Sequence, residues 1–184
     1  MIWVIVLLVV VLLLVLAAVA LYNRLVRLRN RVDNAWAQIE VQLKRRWDLI
    51  PNLVETVKGY AAHERETFEA VTQARVRAQQ AQTPGEVAQA EGILGAALGR
   101  LLAIAEAYPE LQADENFRQL QTELAETENR VAVSRQVYND SVLTYHNAIQ
   151  TFPGALFAGP FGFTSREFFE VEDQAQRDAP VVDF

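Results

Sequence analysis

The chain has 184 residues, a formal net charge of −6 and no cysteine. This acidic balance does not suit a nucleic-acid-binding protein, which needs clustered positive charge on its binding face. The lack of cysteine excludes disulfides and thiol chemistry, and with only two histidines we expect no zinc site.

The first 21 residues carry no charge, and the indole of Trp3 is their only polar side-chain group. About 20 apolar helical residues, each rising ~1.5 Å, span the ~30 Å hydrocarbon core of a bilayer. Trp3 and Tyr22 bracket the run as an aromatic belt would. The sequence therefore predicts a transmembrane anchor over residues 1–22. The alternative is a cleaved signal peptide with a small-x-small site at 18–20, although the run is long and no basic segment precedes it.

Four arginines follow the anchor before the first acidic residue: Arg24, Arg27, Arg29 and Arg31. The positive-inside rule places this flank in the cytoplasm and the N-terminus outside. Arginines so close to a membrane also attract anionic lipid headgroups. We therefore expect these side chains to contact the membrane together with Trp3 and Tyr22. A solvated helix face is the plainer explanation for the arginines, and both can hold at once.

Residues 22–150 are rich in the strong helix formers Ala, Leu, Glu, Gln and Arg. Positions suited to helix packing recur at alternating spacings of three and four, most regularly from Phe117 to Ala148, as in a coiled coil. Thr83-Pro84-Gly85-Glu86 is a capping box, Pro109 ends a helix, and Asp114 can cap the next one. The sequence predicts helices over 2–46, 49–81, 84–107 and 114–150. The expected fold is all-α, with the anchor helix continuing into an antiparallel up-and-down four-helix bundle of long helices.

Pro51 leaves one boundary open. Asp48 can cap a new helix with Pro51 in its first turn, which is the alternative we favour. Otherwise Pro51 only kinks one very long helix. With the break, the last helix returns to the membrane; without it, that helix ends far away. The predicted organisation is an anchor over 1–22, a bundle over 23–151 and a tail over 152–184.

The third helix contains Gly92, Gly95 and Gly99, and the Gly95–Gly99 pair matches the small-xxx-small pattern of close helix contacts. Either the glycines allow tight packing within the bundle, or they contact a second copy of the chain. Gly95 and Gly99 are thus candidate helix-interface residues. Polar residues beside the packing positions form an interhelical network or a solvated face: Arg29, Asp33, Asn34, Glu40, Glu128, Arg135 and Asn139.

The tail begins with twelve uncharged residues, 152–163, whose Gly and Pro content is incompatible with a regular helix. This stretch is too short to span a membrane. Either it folds over an end of the bundle, or it lies in the membrane interface, with Phe157 and Phe161 as candidate lipid contacts. After Ser165 the tail is acidic and polar, and we expect its last residues to be loosely ordered.

No catalytic group emerges from the sequence. His63-Glu64 begins like a metalloprotease motif but lacks the second histidine at the right spacing. No carboxylate pair stands out as an acid/base couple. We therefore predict no catalytic, metal-binding or cofactor-binding residues and no cofactor.

Several blocks resemble the LemA family. They include Tyr22-Asn23-Arg24-Leu25-Val26, the Asp48-Leu49-Ile50-Pro51-Asn52-Leu53-Val54 block, Thr127-Glu128-Asn129 and Tyr138-Asn139. The similarity covers about residues 20–170, and the chain departs at His146, where the family usually has asparagine. The resemblance implies a bacterial protein with one N-terminal membrane helix, a cytoplasmic helical bundle and no accepted catalytic site. Related proteins act in magnetosome membrane formation, and members are linked with membrane proteases or stress functions.

These observations lead to an expected function. We expect a non-enzymatic, single-pass scaffold of the bacterial inner membrane that self-associates, organises membrane or holds membrane-protein complexes. Its expected partners are the lipid bilayer and further copies of itself, with another membrane protein as a further candidate, but no nucleic acid. The alternative is an adaptor or regulator of a membrane protease or signalling enzyme. A hydrolase with an unrecognised carboxylate site is a third and weaker hypothesis.

Overall fold

A computed structural model describes residues 1–170, and this part of the chain is helical without strands. Four long helices and two short ones follow one another: α1 (Ile2–Lys58), α2 (Arg65–Gln80), α3 (Pro84–Glu106), α4 (Pro109–Ala113), α5 (Glu115–Gln150) and α6 (Gly154–Ala158). The all-α fold expected from helix propensity and spacing is confirmed.

The predicted break before Pro51 is wrong, because α1 runs without interruption from Ile2 to Lys58. Proline lacks an amide hydrogen, so the carbonyl of Trp47, four residues earlier, loses its helical partner. Arg75 of α2 replaces that partner, since its Nε donates to the Trp47 carbonyl oxygen at 2.9 Å. Pro51 itself is exposed, while Ile50 and Leu53 beside it are buried. The turn to α2 comes later, at residues 59–64.

The predicted starts of α3 and α5 are confirmed, whereas the short helix α4 between them was not predicted. The Thr83 hydroxyl accepts from the amide of Glu86 at 3.2 Å, and the Glu86 carboxylate accepts from the amides of Gln82 and Thr83. These hydrogen bonds lower the pKa of Glu86. Asp114 caps α5 by accepting from the amide of Phe117 at 2.9 Å. Both caps therefore satisfy helix N-terminal amides as their local sequences predict.

The long helices form an antiparallel bundle that is thicker at one end. Helix α1 packs along α5, and α2 packs along α3. At the end away from Leu21, Tyr60 donates to Asp114 at 3.3 Å, and His63 pairs with the Tyr108 hydroxyl at 3.0 Å. Here all four long helices share one core cluster that includes Leu53, Val71, Leu94, Leu101 and Leu124. Helix α5 then returns to the end beside Leu21. This return was expected only with a break at Pro51, but the turn at residues 59–64 supplies the same reversal of direction.

Nearer to Leu21, the bundle narrows to α1 and α5, because the α2–α3 hairpin turns back at residues 81–83, beside Leu43 and Trp47 of α1. Only the start of α3, at Val87 and Ala88, reaches the core of this part. A second core cluster fills this part, with Leu25, Ile39, Tyr138 and Tyr145 from the two helices. Phe163 and Phe169 of the tail complete it, and both are buried. The tail therefore occupies the place that a further helix takes in the thicker part of the bundle.

Candidate membrane interface

Two helices in the described part of the chain are long and apolar enough to cross a membrane, α1 and α3. Their surroundings differ. Nearly half of the most apolar segment of α3 is buried against other helices, whereas none of the most apolar segment of α1 is buried. Large apolar side chains from Ile2 to Val19 are exposed around the whole helix, and Trp3 is among them. Such an all-round apolar surface is stable in a bilayer rather than in water, and the protein is therefore membrane-associated.

The arginines after the anchor divide into two groups. Arg24, Arg27 and Arg31 are exposed, as a basic collar requires. Arg29 is half-buried, and its guanidinium carbon lies 5.5 Å from the centre of the Phe163 ring. This cation–π contact means that Arg29 helps to hold the tail. Whether the four arginines contact lipid stays a prediction.

The aromatic stretch of the tail lies at the anchor end of the bundle. The ring of Tyr22 meets those of Phe161 and Phe163 edge-on, at centroid distances of 5.3 and 5.7 Å. Phe157 is half-buried and stacks on Phe161 at 6.1 Å. Buried residues of the stretch thus cover the end of the bundle, and others point outward where α1 leaves its apolar run. Contact of Phe157 and Phe161 with lipid stays a prediction.

Sequence reasoning missed the two most exposed apolar side chains of this stretch. Phe152 is 81% exposed and Leu156 65% exposed, compared with 54% for Phe161. The peptide bond between Phe152 and Pro153 is cis, and α6 begins at Gly154. The four-residue spacing of Phe152 and Leu156 was the available signal, but the Gly and Pro residues around them hid it.

Residues 164–170 form an extended strap along α1 and α5. Helix α5 binds its backbone: the Tyr138 hydroxyl donates to the Glu167 carbonyl at 2.7 Å, and the Tyr145 hydroxyl donates to that of Thr164 at 3.0 Å. Asn139 donates to the Phe169 carbonyl at 3.1 Å and accepts from the Phe169 amide at 2.9 Å. Burial raises the pKa of Tyr138 to about 12. The tail is thus ordered beyond Ser165, and the expected loose order of its last residues falls on 171–184, outside the described residues.

Two further polar contacts secure the strap. His146, where the chain departs from the LemA pattern, accepts from the amide of Arg166 at 2.9 Å. The Arg166 guanidinium pairs with Asp33 of α1 at 3.0 Å. No spacing pattern in the sequence marks a helix as the binding partner of a distant extended segment. The contacts that hold the strap to α1 and α5 therefore could not be predicted before the fold was known.

A buried polar cluster joins α1, α3 and α5. Arg46 and Glu91 are 7% and 8% exposed, and their side chains pair at 3.3 Å. Glu91 also accepts from the indole of Trp47 at 2.7 Å, while Glu128 of α5 approaches Arg46 at 3.9 Å. Burial raises the pKa of Glu91, although Trp47 and Arg46 oppose this shift.

The predicted interhelical polar network is therefore only partly present. Glu128 takes part through Arg46, which sequence reasoning did not single out. Asp33 and Asn139 bind the strap instead, and Glu40 accepts from the indole of Trp36 within α1 at 2.8 Å. All these groups have structural partners. In the described part of the chain, no group of three His, Cys, Asp or Glu side chains is arranged to hold a metal ion.

The glycines of α3 do not serve tight packing within the bundle. A Cβ atom added at Gly92, Gly95 or Gly99 would meet no atom within 4 Å outside the local helix. Gly99 is exposed and Gly95 half-buried. The packing alternative is therefore wrong, while contact of Gly95 and Gly99 with a second copy stays a prediction.

Sequence comparison with known proteins finds a matching family and similar proteins. A family model described as the LemA family matches residues 35–184. Magnetosome protein MamQ 2 of Paramagnetospirillum magneticum is 28% identical over 88% of this chain and 68% of its own length. MamQ of Magnetospirillum gryphiswaldense has the same identity and coverage. Protein LemA of Metamycoplasma hominis is 28% identical over 71% of this chain and 60% of its own length. Since the family match covers most of the chain, the protein belongs to the LemA family.

Proposed function

We propose that this protein is a non-enzymatic, single-pass scaffold that stands on the bacterial inner membrane and self-associates there. The observation that carries the proposal is the continuity of α1. One helix supplies both the exposed apolar span and the buried core positions from Leu25 to Val57. Beyond Leu21 this helix extends for about 55 Å at ~1.5 Å per residue. Because the membrane span and part of the bundle core lie in one helix, every copy holds its bundle at the same height above the membrane, as a scaffold requires.

The proposed topology places the bundle in the cytoplasm and the N-terminus outside. Exposed Arg24, Arg27 and Arg31 support it, because arginines are enriched on the cytoplasmic flank of membrane helices. The similarity to the magnetosome proteins MamQ supports a membrane-associated role without catalysis. The engagement of Glu91, Asp33 and His63 in structural contacts favours a role without catalysis.

Self-association is proposed to use the outer face of α3, around Gly95 and Gly99. Glycine there costs about 1 kcal/mol per position relative to alanine in a helix, and no contact within the bundle offsets this cost. Small residues let a second helix approach closely. A neighbouring copy, held parallel by its own anchor, would place the same helix at the same height.

The test is the size of the full-length protein in nanodiscs after mild extraction, measured by mass photometry. Multiple copies per disc support the scaffold. A monomer that co-purifies with one stoichiometric membrane protein supports the alternative, an adaptor of a protease or signalling enzyme.

A double variant, Gly95→Leu with Gly99→Leu, tests the face itself. It should reduce the number of copies while retaining helicity, because leucine favours helix formation over glycine. Ala132→Leu adds similar bulk at an exposed position of α5 and should leave the copy number unchanged. If the double variant assembles like the unmodified chain, the α3 face is not the contact.

A further inference from the structure

We infer that residues 152–163 make a second membrane contact, in which Phe152, Leu156 and Phe161 enter the boundary between headgroups and acyl chains. The inference rests on the proposed anchoring by α1, and it identifies the bilayer itself as the partner of this surface.

The first argument is position. Phe152 and Pro153 line a small cavity of about 240 Å³ together with Leu21 and Arg24 of α1. Tyr22 touches Phe161. The aromatic stretch thus lies level with the last residue of the apolar span and the first turn after it, which is ~5 Å long. Interfacial segments insert to ~5–10 Å at this same boundary.

The second argument is exposure. Among the described residues after Leu143, the only large apolar side chains that are exposed are Phe152, Leu156 and Phe161. All three lie in this one stretch. Large apolar side chains grouped in one exposed stretch mark a candidate interaction site. Because the surface adjoins a helix that enters the bilayer, lipid can cover it without any rearrangement of the bundle.

The third argument is that the stretch is held in place. Gly154 lies so close to the carbonyl oxygen of Ala148 that a Cβ atom there would overlap it. The amide of Phe163 donates to the Ala158 carbonyl at 2.8 Å, and Phe163 is buried. These contacts fix one side of the stretch to α5 and the core, so the opposite side chains cannot withdraw into the bundle.

The fourth argument is charge. From Thr151 to Ser165 the chain has no ionisable side chain, so no carboxylate or ammonium group would have to leave water on insertion. Exposed Arg24 and Arg27 lie one or two turns of α1 further on, where headgroup phosphates would meet them. Aromatic side chains beside basic ones are typical of a membrane–water interface.

The test uses the absence of native cysteine. A nitroxide label is attached to Leu156→Cys in the full-length chain in nanodiscs, and its collisions with oxygen and with a water-soluble nickel chelate are measured. Val133→Cys on α5 is the aqueous reference, because Val133 is exposed and lies ~25 Å before the end of that helix. Leu13→Cys is the bilayer reference. Phe161→Cys is a second test site in case one variant loses helicity.

The oxygen-to-nickel collision ratio at Leu156 should be several-fold higher than at Val133 and lower than at Leu13. A ratio equal to that of Val133 would overturn the inference while leaving the anchor intact. Low access to both reagents, with dipolar broadening between labels, would also overturn it, because the surface would then contact a second copy. An aqueous ratio at Leu13 would instead refute the proposed anchoring, so the two failures are distinguishable.

Discussion

The Trp47 carbonyl offers the sharpest test of how α1 passes Pro51. Arg75 of α2 donates to this carbonyl at 2.9 Å, in the place of the amide that proline lacks. Arg75→Met keeps the apolar stem of the side chain but removes the donor. A partly buried carbonyl without a partner costs about 1–3 kcal/mol. Arg75→Met should therefore lower the free energy of unfolding by about that amount.

The same substitution should cost much less in a Pro51→Ala background. Alanine restores an amide four residues after Trp47, and this amide can bond to the carbonyl when Arg75 is gone. Pro51→Ala alone should stabilise the chain by up to about 3 kcal/mol, the usual penalty of proline within a helix. The double-mutant cycle should then show a coupling of about 1 kcal/mol or more.

The measurement is urea unfolding of the full-length protein in detergent, followed by helicity and tryptophan fluorescence, whose transitions must coincide for a two-state analysis. Arg77→Met, at an exposed arginine of the same helix, is the matched control and should be nearly neutral. The reasoning is refuted if Arg75→Met costs the same in both backgrounds, because the carbonyl would then not depend on Arg75.

Three further predictions concern single sites. Between the normal pKa of glutamate and the raised pKa of Glu91, the folded chain binds more protons than the unfolded chain. The free energy of unfolding should therefore fall as pH rises through this range. The difference in unfolding free energy between the unmodified chain and Glu91→Gln, measured against pH, should show this slope, and a flat difference would contradict it. Asn139→Ala removes both hydrogen bonds to the strap and should speed amide hydrogen exchange at residues 164–170. Asn147→Ala, on the exposed surface of the same helix, should not. Equal exchange rates in the two variants would show that the strap does not depend on Asn139. Gly154→Ala should lower the melting temperature, because the added methyl group would overlap the Ala148 carbonyl of α5. Gly159→Ala places its methyl group in open space and should be tolerated. Equal melting temperatures for the two variants would mean that α6 shifts without cost.

Much of the helical framework could be predicted because its determinants are local. The Thr83 capping box and the Asp114 cap act within three residues, so their short patterns identified helix starts that the structure confirms. The all-round apolar run from Ile2 to Leu21 needs no knowledge of other elements to indicate a membrane helix. The same local reasoning failed at Pro51, since the donor that lets the helix continue comes from Arg75, 28 residues after Trp47.

The tail and α3 depended on packing. Composition identified 152–163 as apolar, but the expectation that its Gly and Pro residues exclude a helix is wrong, because α6 forms at Gly154–Ala158. Only the folded chain separates buried Phe163 from exposed Phe152 and Leu156. The side chains of Tyr138, Asn139 and His146 bind a backbone that lies 20–30 residues further along the chain. The glycines of α3 were consistent with an inner or an outer face until the neighbouring helices were in place. Periodicity thus specified which segments are helical, whereas burial and hydrogen-bond partners were set by contacts between segments distant in sequence.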